Sequence, residues 1–449
     1  MSKNIKDLSE NLVHLAKKHG ATSADSVVMI DESLSIEVRD KALEKAERSE
    51  TLVLGLRVFI DKKSACISVS SDDLGTLTEM ASRAVLMAKE APSDPYCGLA
   101  EPGDLVKDWN VDNLELSNVT DIQTEPKALQ KMALAMEDAT KSVKGVTQCE
   151  SSGASTSYSK FSMHASNGFS GGYEKTSYQL YSSAIAGKNS NMERDYSAES
   201  RIFFADLPDP TQIGKEAGER AVLRLNAKQP PTGHYPVIFD SRVSSSLIGH
   251  IISAINGAAI SRGSSWLRNK MQTTILPRDL DITEDPFRKK IFGSRPFDGE
   301  GMPVKKRDFI KNGVLESWVL DLHSARQLKL KSTGNASRSV ASPPYPSVGN
   351  ISLTKGQLTF EELLKDMGTG LLINSFIGST INSTTGDYSR GASGFWIENG
   401  EIAYPVNECT VAGNLNDMIR NILPANDIKN HLSYLVPSLM IDGLTIAGR

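Results

Sequence analysis

Two carboxylates in the second half of the chain have the residue types and spacing that general acid–base catalysis uses. Asp298 and Glu300 stand two residues apart in the segment Phe-Asp-Gly-Glu-Gly at residues 297–301. A carboxyl pair of this kind can move protons to and from a substrate. The same arrangement of acids and glycines is also what a tight turn requires. The turn is the favoured interpretation, and acid–base chemistry is the alternative.

His250 lies in an apolar segment, residues 241–257, that has helical character. A zinc-peptidase helix needs two histidines four residues apart, with a glutamate beside the first, so that both imidazoles reach the metal from one face. The helical neighbours of His250 are Ser246 and Ala254, and residues 241–265 contain no carboxylate. A lone histidine in such a helix is more often packed or hydrogen-bonded than metal-bound. The sequence therefore predicts a structural role for His250.

His323, Asp387 and Arg390 are further polar residues that could contribute to a site. Ser389, between Asp387 and Arg390, has no G-x-S-x-G elbow around it and no evident base. The Lys-Ser-Thr-Gly-Asn segment at residues 331–335 lacks the spacing of a phosphate-binding loop. The residues alone allow a loop-built site in the second half, formed from His250, Asp298, Glu300, His323 or Asp387, without fixing its chemistry.

The hydrophobic pattern predicts helices and strands that are segregated rather than strictly alternating, which favours an α+β fold. Predicted helices cover residues 5–19, 74–91, 124–143, 215–225, 241–261 and 360–366. Predicted strands cover residues 26–30, 34–38, 51–60 and 65–69, which form an antiparallel meander, several segments between 147 and 204, and residues 235–239.

The chain of 449 residues is long enough for two domains. The segment Asn-Ala-Lys-Gln-Pro-Pro-Thr-Gly at residues 226–233 is the best candidate linker. We therefore predict an N-terminal domain of helices and antiparallel sheet, residues 1–225. The C-terminal domain, residues 226–449, is predicted to be β-rich with a long buried helix.

Composition and charge exclude several classes of function. A formal net charge of −4 argues against nucleic-acid binding. No signal peptide and no apolar run long enough to span a membrane are evident, so we expect a cytoplasmic protein without membrane contact. The four cysteines form no C-x-x-C pair, so neither a disulfide framework nor a thiolate zinc site is indicated.

Taken together, the short motifs resemble those of the TldD/PmbA metallopeptidase family, whose PmbA branch is also called TldE and described as a modulator of DNA gyrase. The resemblance is dense from residue 236 to 448 and looser before that. It rests on residues 297–301, 308–313, 324–326, 332–335, 367–370, 385–391, 394–400, 404–406 and 412–414.

The TldD branch of this family carries His-Glu-x-x-x-His on the helix after the first strand of the second domain, with a further zinc ligand from a Cys near the C terminus. With the Arg-Gly-Ser-Ser segment at residues 262–265 as the anchor, the three motif positions correspond to Ile248, Gly249 and Ser253. Cys409 precedes the Ala-Gly-Asn motif instead of lying in the terminal segment. The resemblance thus implies the PmbA branch, with no metal and no catalytic residue in this chain.

Such a chain is expected to pair with a TldD-like subunit that holds the zinc, and to help line a channel that admits unfolded peptides for peptide maturation or antitoxin degradation. Candidates for lining this channel or facing the partner are His250, Asp298, Glu300, His323, Asp387 and Arg390. A homodimer is possible when the chain is alone. Two alternatives remain, namely a self-sufficient peptidase with a cryptic site and a homodimeric scaffold or regulator linked to DNA gyrase.

Overall fold

A six-stranded antiparallel sheet forms the framework of the first half of the chain in the computed structural model, which describes residues 4–118 and 125–448. Its strand order is β3-β2-β1-β4-β5-β6. The strands are β1 (Ser23–Arg39), β2 (Ala42–Ile60), β3 (Lys63–Val69), β4 (Val146–Ala165), β5 (Ser170–Ala186) and β6 (Glu193–Arg201). The predicted meander is confirmed, although the predicted strands 26–30 and 34–38 are parts of the single long strand β1.

Four helices cover one face of this sheet. Side chains alternate between the two faces of a strand, so every second strand residue can pack against these helices. The even-numbered residues Val28, Ile36 and Val38 of β1 pack against them. α1 and α2 cover one end, and α3 and α4 cover the other. The helices are α1 (Ile5–Lys18), α2 (Leu74–Glu90), α3 (Pro126–Ser142) and α4 (Pro210–Leu223). The predicted start of α3 at Thr124 lies outside the described residues, and α4 begins five residues earlier than predicted because Asp209 caps it.

The second half contains a closed five-stranded barrel. Its strands follow the order β16-β15-β14-β7-β19, and β16 also pairs with β19, which closes the sheet. These strands are β7 (Gly233–Phe239), β14 (Gly370–Ile381), β15 (Asp387–Glu398), β16 (Glu401–Asn414) and β19 (Leu439–Ala447), and β17 (Ile422–Pro424) pairs with β19 outside the ring. Closure removes free edges from this part of the fold.

A second, smaller sheet packs beside the barrel, with the order β10-β9-β8-β13-β18. It comprises β8 (Ile282–Glu284), β9 (Arg307–Lys311), β10 (Val314–Leu315), β13 (Ile351–Leu353) and β18 (Tyr434–Leu435). The two-residue strands β11 (Ala336–Ser337) and β12 (Tyr345–Pro346) pair separately. Three helices of this half are α7 (Leu322–Gln327), α8 (Phe360–Met367) and α9 (Leu415–Met418). The predicted helix over residues 360–366 is confirmed as α8, which Thr359 caps by forming a capping box with Glu362.

The prediction of one long buried helix over residues 241–261 is wrong. The segment forms α5 (Ser245–Ala254) and α6 (Gly257–Ser261), separated by Asn256 in an extended conformation. The Asn256 side chain accepts a hydrogen bond from the Ala258 N–H, while the Gly257 N–H donates to the Val319 carbonyl. A Cβ at Gly257 would lie 2.5 Å from Ser324 Oγ, so close packing on α7 requires glycine there. Apolar periodicity alone did not reveal this interruption.

The α+β prediction is confirmed by this arrangement of helices and sheets. The boundary between residues 225 and 226 stays a prediction. Among the described residues, no helix is long and apolar enough to cross a membrane.

Candidate functional site

The residues singled out from the sequence lie in separate places. Asp298 and Glu300 are buried where the second half meets the first sheet. His250 and Arg390 lie near Tyr388 on the barrel side. His323 and Asp387 each lie on the surface with local polar partners. The candidate set therefore does not form one site.

Asp298 organises a buried turn. Its Oδ1 accepts hydrogen bonds from the backbone N–H groups of Glu300 and Met302, both at 2.9 Å, and its Oδ2 accepts one from Ala336 at 3.1 Å. Burial raises the pKa of this carboxyl to about 6, and the backbone donors oppose that rise. The geometry is that of a turn, and no proton-transfer role is evident from these contacts.

Glu300 belongs to the same turn, and its carboxyl group has an unusually high pKa. Its Oε2 accepts a hydrogen bond from the Leu322 backbone N–H at 2.8 Å. Burial, and then the negative charge of Asp298, raises the pKa of Glu300 to about 8. The carboxyl group of Glu300 is therefore largely protonated at neutral pH.

A buried ion network joins the two halves next to Glu300, and the sequence analysis missed it. Asp25 on β1 accepts hydrogen bonds from Arg57 Nε on β2 at 3.0 Å and from Arg338 Nη2 of the second half at 2.7 Å. All three charged groups are buried. Asp25 and Arg57 interrupt otherwise apolar strand segments, and this was the one signal in the sequence that could have identified them.

His250 packs against the ring of Tyr388, with 6.0 Å between the ring centroids. Burial, and then the positive charge of Arg390, lowers the pKa of His250. Its Nε2 is buried without a hydrogen-bond partner in the described parts of the chain. Arg390 donates a hydrogen bond to the Gly378 carbonyl at 3.1 Å and lies 4.1 Å from the Phe376 ring centroid. His250 is therefore neutral and close to a cation.

These surroundings do not fit a zinc ion. At the three positions that correspond to the zinc motif, Ile248 is buried in the core, while Gly249 and Ser253 offer no imidazole or carboxylate. Zinc needs several nitrogen, sulfur or carboxylate ligands, and a nearby guanidinium would repel it. Within residues 4–118 and 125–448 no group of three or more His, Cys, Asp or Glu side chains is placed to hold a metal.

Cys409, the remaining sulfur ligand considered from the sequence, is buried in the barrel. Its thiol donates a hydrogen bond to the Ala392 carbonyl at 3.3 Å. Burial raises the pKa of this thiol to about 11, which disfavours the thiolate that metal binding and nucleophilic attack require. We assign Cys409 to packing.

The two surface candidates have different polar partners and share none of them. His323 Nε2 lies 2.8 Å from Asp94 Oδ2 of the first half. Asp387 accepts hydrogen bonds from Thr385 Oγ1 at 2.6 Å and from Asn414 Nδ2 at 3.0 Å, and these bonds lower its pKa. His323 thus contacts the first half at the junction, and Asp387 orders the turn before β15.

The chain matches three family models along its length. Residues 24–88 match the model described as PmbA/TldA metallopeptidase domain 1, residues 118–225 match the central domain, and residues 232–448 match the C-terminal domain.

Curated relatives match over nearly the whole chain. Metalloprotease PmbA of Escherichia coli O157:H7 is 35% identical over 429 residues, which cover 95% of this chain and 92% of the relative. A PmbA homolog of Haemophilus influenzae is 33% identical and covers 97% of this chain and 94% of the relative.

Two solved structures share the fold over their full lengths. A protein of Bacteroides thetaiotaomicron described as a candidate modulator of DNA gyrase is 26% identical, with a TM-score of 0.92 and complete coverage of both chains. TldE of Thermococcus kodakarensis is 20% identical, with a TM-score of 0.85 and coverage of 98% of this chain and 100% of that one.

Proposed function

The chain belongs to the PmbA/TldD metallopeptidase family, and from this premise we propose that it is the subunit without zinc in a two-subunit peptidase. In this proposal a TldD-like partner holds the zinc ion and cleaves the peptide bond. The present chain binds that partner and helps to hold an unfolded peptide. Both subunits act in the cytoplasm.

The lack of zinc ligands among the described side chains on and around α5 is the observation that carries this proposal. A neutral His250 beside the cationic Arg390, with Ile248, Gly249 and Ser253 at the motif positions, cannot supply the ligands that zinc needs. Catalysis by a family member with such a helix requires a metal held elsewhere. A zinc-bearing partner subunit is the simplest source, since the chain retains the family's domains along nearly its whole length.

Mixing purified subunits tests this proposal. We expect the chain alone to contain less than one tenth of an equivalent of zinc and to leave an unfolded peptide intact. Addition of a TldD-like subunit from the same organism should produce cleavage at least tenfold faster than that subunit alone, because two-subunit assembly completes the site. Zinc content is measured by plasma mass spectrometry and cleavage by mass spectrometry of the products.

A zinc-site variant of the partner is the control. Replacement of the glutamate in the partner's zinc motif should abolish cleavage in the mixture without preventing complex formation. Stoichiometric zinc in the present chain, or cleavage by the chain alone, would overturn the proposal. Cleavage that depends on this chain's Asp298 and Glu300 would instead support a self-sufficient peptidase.

A role in DNA gyrase regulation is a second candidate, and it rests on the description of the similar Bacteroides thetaiotaomicron structure. This reading predicts that the chain alone, at equimolar concentration, alters DNA supercoiling by purified gyrase. Unchanged supercoiling together with rescue of peptide cleavage on mixing would leave the peptidase subunit as the better assignment.

A further inference from the structure

A cavity of about 310 Å³ lies between the first sheet and the second half of the chain. Lys175 on β5, together with Arg295 and Arg338 of the second half, contributes three cationic side chains to its wall. Tyr173 and Phe297 supply aromatic surface, and Asp298 is the one carboxylate of the lining. The lining residues alone therefore carry an excess of positive charge.

Lys175 has no carboxylate partner among the described residues. Its Nζ donates to the backbone carbonyls of Phe292 at 2.7 Å and Ser294 at 3.0 Å, and it lies 5.4 Å from the Tyr173 ring centroid. Burial, and then the charge of Arg295, lowers the pKa of this ammonium to about 8. A buried cation without a counter-ion is costly, because two carbonyl dipoles replace only part of its hydration. One of its three N–H donors remains available.

The acidic groups nearby are already engaged. Glu284 Oε1 accepts from Arg295 Nη2 at 2.9 Å and from the Gly349 N–H at 2.7 Å, and its Oε2 accepts from Asn335 at 2.6 Å. Asp25 is shared by Arg338 and Arg57. Arg295 and Arg338 each keep a buried Nε without an acceptor in the described ranges. Unpaired donors of Arg295 and Arg338 therefore lie at residues that line the cavity.

The cavity borders a face of the first sheet that carries several serines. Ser159 lines it and pairs in register with Lys175 on β5. Two residues away on β4, Ser157 pairs with Ser33 of β1 on one side and with Ser177 of β5 on the other. These residues lie on the sheet face opposite to the helices, because they alternate with the helix-packed positions. An extended chain lying on this face would meet these hydroxyl groups and the exposed carboxylate of Asp31, which pairs in register with Ser159, and then the cations at the cavity.

We propose that this cavity binds a carboxylate of an unfolded peptide, with Lys175 and Arg295 as the cationic donors and the serine-lined sheet face as the path of the peptide. This inference rests on the proposed peptidase function, for which it supplies the substrate-recognition element. The carboxylate is either the C terminus of the peptide or an acidic side chain close to it, and both present the same planar pair of oxygens to the donors.

Peptide binding to the isolated chain tests the proposal without any partner or zinc. The probe is a fluorescein-labelled unstructured peptide made in four forms, with a free or amidated C terminus and with Glu or Gln at the penultimate position. Anisotropy should show that removal of one kind of carboxylate weakens binding about tenfold or more, the value of one lost charge-assisted hydrogen bond. The peptide form that loses affinity identifies which carboxylate the cavity binds.

Lys175→Met should weaken binding of the best probe to the level of the carboxylate-free form. Lys160→Met is the matched control, because Lys160 lies on the same sheet but pairs with Glu174 and lies outside the cavity. Lys175→Arg should retain binding. Equal binding by the Lys175→Met and Lys160→Met variants, or equal binding of all four probes, would overturn the proposal whether or not mixing of the subunits yields activity.

A pH series separates recognition from a structural role of Lys175. Above pH 8 binding of the probe should weaken more steeply for the wild-type chain than for Lys175→Arg, because only the wild type loses the proton of Lys175. Ionisation of Glu300, whose pKa is about 8, is common to both proteins. Arg295, Arg338, Tyr173 and Asp298 are the other ionisable groups of the cavity. The arginines stay charged, burial raises the pKa of Tyr173, and Asp298 is mostly ionised from pH 7 upward. Identical pH profiles of wild type and Lys175→Arg would contradict a direct contact with Lys175.

Discussion

Asp25→Asn should lower the free energy of unfolding by about 3–5 kcal/mol, the usual result of removing one partner from a buried ion network. The carboxylate of Asp25 is fully buried and is the shared acceptor for Arg57 and Arg338. An amide would leave two buried guanidinium groups without a counter-ion. Glu300, whose charge also acts on Arg57, is mostly protonated at neutral pH because its pKa is raised to about 8. Glu300 therefore replaces little of the negative charge that Asp25→Asn removes.

Urea denaturation followed by tryptophan fluorescence measures this loss. Trp109, one of four tryptophans, packs against Phe297 with 5.3 Å between ring centroids, so part of the emission reports on the junction of the two halves. Asp31→Asn is the control, since Asp31 lies on the same strand and face as Asp25 but is exposed. We expect it to change stability by less than about 0.5 kcal/mol. Equal midpoints for both variants would contradict the importance of the network.

Addition of Arg338→Met to Asp25→Asn should recover part of the lost stability. The double variant leaves one unpaired buried cation instead of two, and the methionine can fill the space of the arginine stem. The opposite result is a double variant with a lower free energy of unfolding than Asp25→Asn. It would show that Arg338 acts through the packing of its side chain and not through its charge. This cycle separates the two contributions.

Glu300→Gln should stabilise the protein increasingly as the pH rises from 5 to 8. In the folded chain the pKa of Glu300 is raised to about 8, whereas in the unfolded chain it is near the ordinary glutamate value of 4.5. Between these values the folded state holds a proton that the unfolded state has lost. Each pH unit in this window therefore lowers wild-type stability by about 1.4 kcal/mol for one such group. Glutamine stays neutral and removes this loss.

The hydrogen bond to Glu300 survives this substitution, because the amide oxygen of glutamine can accept from the Leu322 N–H as the carboxyl does. Asp298→Asn is the contrasting variant. Both oxygens of Asp298 accept backbone N–H groups, so an amide NH₂ would face a donor at one of them. We expect this change to destabilise by about 1–3 kcal/mol.

Denaturation midpoints of wild type, Glu300→Gln and Asp298→Asn between pH 5 and 8 check both expectations. The stability gap between Glu300→Gln and wild type should widen toward pH 8. A constant gap across this range would show that Glu300 ionises normally in the folded protein. The Asp298→Asn variant keeps Glu300 and should retain part of the wild-type slope.

The sequence by itself determined the fold class, the family and the ends of several helices. Local chemistry fixes these features: Asp73 caps α2 and Thr359 caps α8, each by hydrogen bonds within a few residues of chain. The sequence alone also showed that no second histidine and no glutamate accompany His250 at the spacing of a zinc motif, because the ligands of such a motif lie at fixed short spacing on a helix. The resemblance of many ordered motifs then indicated the family, which the family models and relatives confirm.

Only the tertiary structure decided how distant residues meet. The contact between Asp25 and Arg338 spans 313 positions of sequence, and no local periodicity encodes it. The break at Asn256 depends on Val319 and Ser324, which approach from another element. Burial of Glu300 and the convergence of Lys175 with Arg295 likewise require the second half to lie against the first sheet. Sequence patterns report which face of an element is apolar, whereas pKa shifts and cavities depend on which groups the fold places against that face.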